Sequence, residues 1–238
     1  MKTSIKHVDL LNPIYFSPDK LGYFKFPFPG IQYLECNFSQ LHQDLFVLSV
    51  LNGMQGGYYL DIGASYPLHL SNSFLLESRF SWAGICIELD SAKANKHRLY
   101  RTNPCFNLDA LEVSYANFLR TYGAPRTIDY LSVDIDPARF SLQALSSVLQ
   151  DPSFQFRVIT FEHDFYNGGL VERAASRQLL SDLGYRLVLP NVSWGSFSIE
   201  DWWVNPNLVP RDRLNLMEMT DFSCNYNVHE YFYTCYSI

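Results

Sequence analysis

Positive charge is scarce in this 238-residue chain: 18 Lys and Arg stand against 24 Asp and Glu, a formal net charge of −6. Phosphate backbones are held by clustered basic residues, and no basic stripe is present, so nucleic acid is not expected as a partner. Cysteine is sparse as well. Cys36, Cys86, Cys105, Cys224 and Cys235 are scattered and form no C-x-x-C pair, which argues against a structural zinc site. Cys86 and Cys105 fall inside apolar runs and read as small buried hydrophobes. Reduced thiols point to a cytoplasmic setting. No apolar stretch approaches the roughly 20 residues that cross a bilayer, and Met1 to His7 lacks the apolar run of a secretory leader, so no membrane association is expected. The pattern Asn191-Val192-Ser193 is therefore read as an accidental glycosylation match. Finally, the G-x-G-x-x-G turn of dinucleotide enzymes is missing. Only Gly63 stands between Asp61 and Ala64, which disfavours a nicotinamide- or flavin-dependent oxidoreductase.

Apolar residues make up 47% and charged residues 18%, the balance of a packed globule. The length suits a single α/β domain burying about 70–75% of its unfolded surface. The chain is organised around Gly57 to Asp90. Tyr58-Tyr59-Leu60-Asp61-Ile62 is a short apolar run with branched and aromatic residues, the pattern of a buried parallel strand. Gly63 permits a sharp turn and a close approach to a ligand. A helix is predicted over Ser71 to Phe80, capped by Ser71 or Asn72, and Trp82 to Glu88 repeats the strand pattern. Strand, glycine turn, helix, strand is half of a nucleotide-binding α/β sheet.

The flanks follow the same logic. Residues 1–38, rich in Pro and aromatics, are read as an N-terminal extension over the sheet or the site entrance, and 39–205 as the core. Leu41, Leu45, Phe46, Leu48 and Leu51 make one apolar helix face, with Gln43 and Asp44 off it. After Asp90 or Ser91 as N-cap, a helix runs to Thr102, then a strand over Pro104–Leu108 and a helix over Ser114–Tyr122. A fourth strand spans Ile128–Asp134, a helix Ser141–Leu149 with Pro137 near its start, and a fifth strand Phe156–Phe161. Leu170–Leu183 is a helix closed by Gly184. Tyr185–Leu189 and Ser198–Val204, joined by turn-rich Pro190–Gly195, form an antiparallel hairpin. Trp202 and Trp203 are taken as core residues. In the tail, 206–238, a short helix is predicted at Arg211–Glu218. The aromatic segment beyond it covers an edge strand, closes a pocket or joins a second copy in a homo-oligomer.

Asp61, Glu88, Asp109, Asp134 and Glu162 all fall at predicted strand ends, the edge where open α/β sheets bind ligands. Asp134, Asp136, Glu162, His163 and Asp164 form a second grouping. Carboxylates crowded without nearby cations repel unless protonated or bridged by a metal ion. Asp134, Asp136, Glu162 and Asp164 are accordingly candidate ligands for Mg²⁺ or another divalent cation, which would lower the pKa of a hydroxyl substrate. Asp134, Glu162 and His163 are the catalytic candidates. His163 as general base is the alternative to a metal, and a purely structural role is the third. His69, in the loop after Gly63, is a further candidate substrate contact, with a solvated loop residue as the commoner alternative.

The run from Gln43-Asp44 through Asp61-Ile62-Gly63-Ala64, Ser71-Asn72 and Gly84-Ile85-Cys86-Ile87-Glu88 resembles the FkbM-type methyltransferases. Ile128 to Asp134, Phe161-Glu162-His163 and Glu200 to Val204 resemble later strands of that family, so the resemblance covers residues 39–205. It implies a Rossmann-like, seven-stranded class I methyltransferase sandwich with a mostly parallel sheet and a C-terminal antiparallel hairpin. It also implies S-adenosylmethionine as cofactor and O-methylation of a small-molecule or saccharide acceptor. In that pattern Glu88, with Leu89, takes the ribose hydroxyls and Asp109 with Ala110 the adenine. Asp61, Gly63, Ala64, Asn72 and Asp134 face the remainder of the cofactor, with Gln43-Asp44 on its approach. One departure stands out: Ser132-Val133-Asp134-Ile135-Asp136-Pro137 replaces the family's usual Lys-x-Asp-x-Glu-Gly, removing a cation and shortening the second acid. A cofactor-binding scaffold without turnover is the rival reading.

Overall fold

The computed structural model describes residues 14–15 and 24–234. A short pair, β1 (Ile14–Tyr15) and β2 (Cys36–Asn37), precedes the main sheet. That sheet contains β3 (Tyr58–Ile62), β4 (Ala83–Glu88), β5 (Cys105–Asn107), β6 (Thr127–Val133), β7 (Gln155–Glu162), β8 (Arg186–Trp194), β9 (Phe197–Val204) and β10 (Tyr226–Asn227). Its order is β10-β8-β9-β7-β6-β3-β4-β5. Strands β3 to β7 pair in parallel, whereas β9 runs antiparallel to both β7 and β8. The architecture is the expected Rossmann-like methyltransferase sandwich, with an eighth strand added at one edge. The helices are α1 (Gln43–Val50), α2 (Phe74–Phe80), α3 (Ser91–Tyr100), α4 (Tyr115–Thr121), α5 (Ala138–Val148), α6 (Leu170–Asp182), α7 (Arg211–Met217) and α8 (Val228–Phe232).

Strand side chains alternate between faces, so the sheet feeds two cores. Tyr59, Cys86, Tyr130, Val158 and Trp202 join α1, α2, α7, α8 and the aromatics of residues 24–34 in one. Leu60, Ile62, Ile85, Leu131, Ile159 and Trp203 join α4, α5 and α6 in the other. The neighbouring tryptophans thus serve opposite cores, both fully enclosed. Each such side chain contributes about 1.5–3 kcal/mol by leaving water.

Three local expectations change. Helix α2 begins at Phe74 rather than Ser71, although Ser71 Oγ still accepts the Phe74 N–H at 3.2 Å. The buried Arg101 holds the preceding residues as a loop: it donates to the Pro67 carbonyl and to Ser71 and Ser73 hydroxyls while pairing with Glu77 at 2.6 Å. Helix α1 is buried on every side, Gln43 and Asp44 included, because chain segments from both ends cover it. Phe24 stacks on Phe232 at 5.4 Å and Phe26 meets Tyr231 at 4.9 Å. Strand β8 continues through Pro190 to Trp194, leaving only Gly195 and Ser196 in the turn. Register shifts between Leu187 and Val192 absorb the proline and the positive φ of Asn191.

The tail covers an edge. Strand β10 pairs with β8, and Asn191 Nδ2 donates to the Phe222 and Cys224 carbonyls, so Asn191 is enclosed rather than offered for glycosylation. Cys86 and Cys105 are buried free thiols, as expected; Cys235 and most of the N-terminal extension lie outside the described residues. Among the described residues no helix is long and apolar enough to cross a membrane.

Asp201 is wholly buried on the α6 side, where Arg177 grips both its oxygens at 2.7 and 2.8 Å and the Asn191 N–H donates at 2.8 Å. Burial raises the Asp201 pKa, but these bonds win and hold it down at about 2. Arg177→Met strands that charge, with an expected loss of about 3–5 kcal/mol in urea unfolding at pH 7. A depressed carboxyl pKa stabilises above its unfolded value of about 3.9 and loses this as pH falls toward 2. The deficit of the variant therefore narrows between about pH 5 and pH 3; a deficit constant with pH would assign the damage to packing instead.

Candidate functional site

Sheet register places the site. Asp61 lies opposite Cys86 on β4 and Ser132 on β6, Ser132 opposite Thr160 on β7, and Thr160 opposite Trp202 on β9. Moving two residues toward the carboxyl edge keeps the same face. The row reached there is, in spatial order, Glu88, Gly63, Asp134, Glu162 and Glu200, with Glu162 directly across from Glu200. Four carboxyls therefore share one level, with a bare glycine among them. Gly63 has φ +85°, and a Cβ there would sit 1.8 Å from the Asp134 carbonyl oxygen, so no larger residue fits.

Glu88, Asp134 and Glu162 occupy the strand ends expected of them. Asp61 does not: it lies one pleat below, buried, with Oδ2 accepting the Ser73 hydroxyl at 2.6 Å, and Gly63 takes the level it was expected to hold. Burial raises its pKa. Glu88 is held by two backbone donors, Ser65 N–H on Oε2 and Asp90 N–H on Oε1, both at 2.7 Å. Each oxygen keeps a lone pair for a further donor. Asp109 stands beyond β5 and accepts the Leu111 N–H at 2.9 Å, while the Ala110 carbonyl accepts the Tyr115 hydroxyl. The Ala64 N–H is spent on the Ile87 carbonyl, and Leu89 is 67% exposed. Asn72 donates to Ser132 Oγ at 3.0 Å, and its Oδ1 is buried with no protein partner.

His163 takes no part in the row. Alternation sends it to the face opposite Glu162, where it is fully enclosed, with Nδ1 accepting the Phe165 N–H at 3.2 Å and Nε2 3.5 Å from Asp201. A general base must reach its substrate, so the expected role of His163 gives way to a structural one.

Crowding is relieved by protons. Burial, then the adjacent Asp134, push the Glu162 pKa far up, and burial raises Asp134. The two carboxyls hydrogen-bond, and a proton between them relieves the repulsion that two buried anions would feel. Burial also lifts Glu200 to about 8, even though Trp202 Nε1 donates to it at 2.8 Å and Gln43 Nε2 at 2.5 Å. Asp164 is raised to about 6 by burial and by Asp136 and Asp134. Oxygens of Asp136, Glu162 and Asp164 approach within 4.8 Å of one another, a hard donor set of the kind that suits Mg²⁺, Mn²⁺ or Ca²⁺. Asp134, expected as a fourth ligand, falls outside this group.

Glu200 and Gln43 are the partners that residue patterns alone did not single out. The signal was present: in an antiparallel strand beside the fifth, the first residues lie at the carboxyl edge, so Glu200 had to face Glu162.

No family model matches the sequence, and no curated protein matches it. Solved structures similar in chain path include M. capricolum TrmK in complex with S-adenosyl-homocysteine, 10% identical, covering 68% of this chain and 67% of that one with a TM-score of 0.49. Another is the magnesium protoporphyrin IX methyltransferase of Synechocystis PCC 6803 with bound SAM, 13% identical, covering 69% and 79% at a TM-score of 0.45. A third is a TehB-like SAM-dependent methyltransferase from Corynebacterium glutamicum, 13% identical, covering 68% and 87% at 0.45.

Glu200 gives the site a measurable pH signature. Its folded pKa of about 8 exceeds the unfolded value, so the folded chain keeps a proton that the unfolded chain releases. Stability from this residue therefore falls as pH rises from about 4.3 to about 8, by at most about 1.4 kcal/mol per pH unit. Glu200→Gln should flatten the pH dependence of unfolding across that window, whatever constant offset it introduces. An unchanged slope would mean that Glu200 is ionised throughout.

Proposed function

We propose that the chain is an S-adenosylmethionine-dependent methyltransferase acting on a hydroxyl oxygen of a small molecule or sugar. The observation that carries this reading is the row Glu88, Gly63, Asp134, Glu162, Glu200. It crosses the point where strand order reverses, between β3 and β6, the place where open α/β sheets receive ligands. Bound there, S-adenosylmethionine supplies a methyl group on a positively charged sulfur. A row of carboxyls favours such a cation and repels the pyrophosphate of a dinucleotide.

Each residue has a defined task. Glu88, oriented by the Ser65 and Asp90 N–H groups, accepts the two ribose hydroxyls. Asp109 stands at the adenine end with one oxygen uncommitted to the Leu111 N–H. Asn72 Oδ1, buried and unpartnered, accepts from the amino group of the methionine half. Gly63 leaves the centre of the row clear of any side chain. Asp61 supports this floor indirectly, through Ser73 and Arg101. The Asp134–Glu162 pair, two carboxyls joined by a hydrogen bond, receives at Asp134 the proton released by the acceptor hydroxyl as the oxygen–methyl bond forms and the sulfur–methyl bond breaks. Positioning and proton removal account for the rate.

Glu88→Ala should weaken S-adenosyl-homocysteine binding roughly ten- to a hundredfold, from the lost charge-assisted bonds. Calorimetry with unaltered affinity removes Glu88 from the ribose role. The charge of the row supplies a second measurement. S-adenosylmethionine, which is cationic at sulfur, should bind more tightly than S-adenosyl-homocysteine, and the preference should shrink in high salt and as falling pH protonates Asp134, whose pKa is raised. A ratio indifferent to both contradicts an electrostatic role.

A further inference from the structure

One end of the acidic row runs out among aromatic rings that neither core uses. Directly beyond Glu162, the chain turns through Asp164 into a short helical turn, Phe165–Asn167, tied to β9 by the His163 and Asp164 N–H groups, which both donate to the Ile199 carbonyl at 2.9 Å. Across from it stands the β8–β9 hairpin, whose two-residue turn makes Trp194 and Phe197 a cross-strand pair on one face. Tyr166 and Phe197 meet edge to face, centroids 5.2 Å apart. Tyr166, Phe197 and Trp194 are 51%, 53% and 55% exposed. Single exposed aromatics are ordinary, whereas three gathered at one spot form a patch that marks a binding surface. The Tyr166 hydroxyl meets the Asp164 carboxylate, and oxygens of Asp164, Asp136 and Glu162 lie within 4.8 Å of one another, so the patch reaches the row at Glu162.

We infer that Tyr166, Phe197 and Trp194 form the acceptor subsite, and that it takes an unphosphorylated, polyhydroxylated ring such as a neutral sugar residue. The inference rests on the methyltransferase reading and adds where the acceptor sits and what it is. Strand order separates the two ligands: Glu88 and Asp109 lie over β4 and β5 on one side of Gly63, and the rings stand over β7 and β9 on the other. Aromatic faces hold the C–H faces of a flat ring by dispersion and by their quadrupole. Beside them, Asp136 and Asp164 accept from hydroxyls, and the Tyr166 hydroxyl adds a polar tip. A phosphorylated acceptor would set its charge against these carboxylates. A base-stacking platform for nucleic acid needs a basic groove around its rings, whereas Arg173 is stacked on Phe165 at 3.5 Å and bonded to Asn191 Oδ1, and Arg177 is committed to Asp201 and the same Asn191 oxygen.

The test is saturation-transfer NMR on protein loaded with S-adenosyl-homocysteine. The probes are methyl glycosides of several neutral hexoses, the corresponding sugar 6-phosphates, and benzyltrimethylammonium. Transfer to at least one neutral glycoside is expected, falling about tenfold or more in Tyr166→Ala and in Phe197→Ala. Affinity for S-adenosyl-homocysteine should stay within about twofold in both variants, which shows that they fold and that the cofactor half is intact. The acceptor assignment is overturned by silence from every glycoside, by equal transfer in wild type and variants, or by a preference for the phosphates or the ammonium probe. Failure to bind S-adenosyl-homocysteine in the first place removes the methyltransferase reading as well, and calorimetry reports that separately.

Discussion

Like charges on adjacent strands are the constraint around which this molecule is built. Neighbouring strands lie about 5 Å apart, and two carboxylates at that distance repel by about 3 kcal/mol even at an effective dielectric of 20. Asp134, Glu162 and Glu200 stand on three consecutive strands at one level. They coexist because burial and mutual repulsion act in the same direction, both favouring the neutral acid. Glu200, raised to about 8, retains its proton near neutral pH, and Asp134 and Glu162 share a proton between them. A single carboxylate beside a proton donor is a proton acceptor with a defined address, which three equivalent anions would not be.

The rest of the scaffold keeps that arrangement in place. On the face that bears the row, Arg101 is buried between Glu77, Tyr59, Ser71 and Ser73, and through Ser73 it fixes Asp61 one pleat beneath Gly63. On the opposite face the Asp201–Arg177 pair, with His163 against it, locks β9 beside β7. The two networks differ in character. Arg101 and Asp201 are paired charges that stay ionised, whereas the row between them is held by protons. Paired charges beneath and behind hold the register through the neutral range, in which Glu200 of the row titrates.

Much of this was legible in the sequence because it depends on local rules. Short apolar runs ending in an acid marked β3, β4, β6 and β7, and Gly184 marked the end of α6, with φ +80° and the Tyr185 N–H donating to the Leu180 carbonyl. Of the strand-end acids, Glu88, Asp134 and Glu162 do share one level at the carboxyl edge. What stayed hidden depends on three-dimensional neighbours. Asp61 and Asp134 look equivalent in sequence, yet the register pairs Asp61 with Ser132 and leaves it one pleat below Asp134. Glu162 and His163 look like a pair, yet alternation sends them to opposite faces. Gln43 and Asp44 look solvated by helical period, because the period cannot register that segments from both ends of the chain close over α1. Asp44 is consumed in bonds to the Phe38, Ser39 and Leu45 N–H groups, and Gln43 reaches across 157 residues to Glu200.

That long reach separates the two halves of the site. Everything that would touch the cofactor belongs to consecutive βα units, β3 to β5 with their loops, where each side chain is placed by its own strand and the next helix. The acceptor half has no such autonomy. Glu200 is aligned by Gln43 from α1, β8 is sealed by β10, and the hairpin that carries Trp194 and Phe197 is the antiparallel exception in a parallel sheet. An antiparallel hairpin exposes its turn at the carboxyl edge, where a parallel strand offers only a crossover loop. Side chains at that turn can therefore change in size and polarity without disturbing the register that sets Glu88, Gly63 and Asp134. The geometry proposed to bind the donor is locked by the sheet, and the surface proposed to select the acceptor is free to differ.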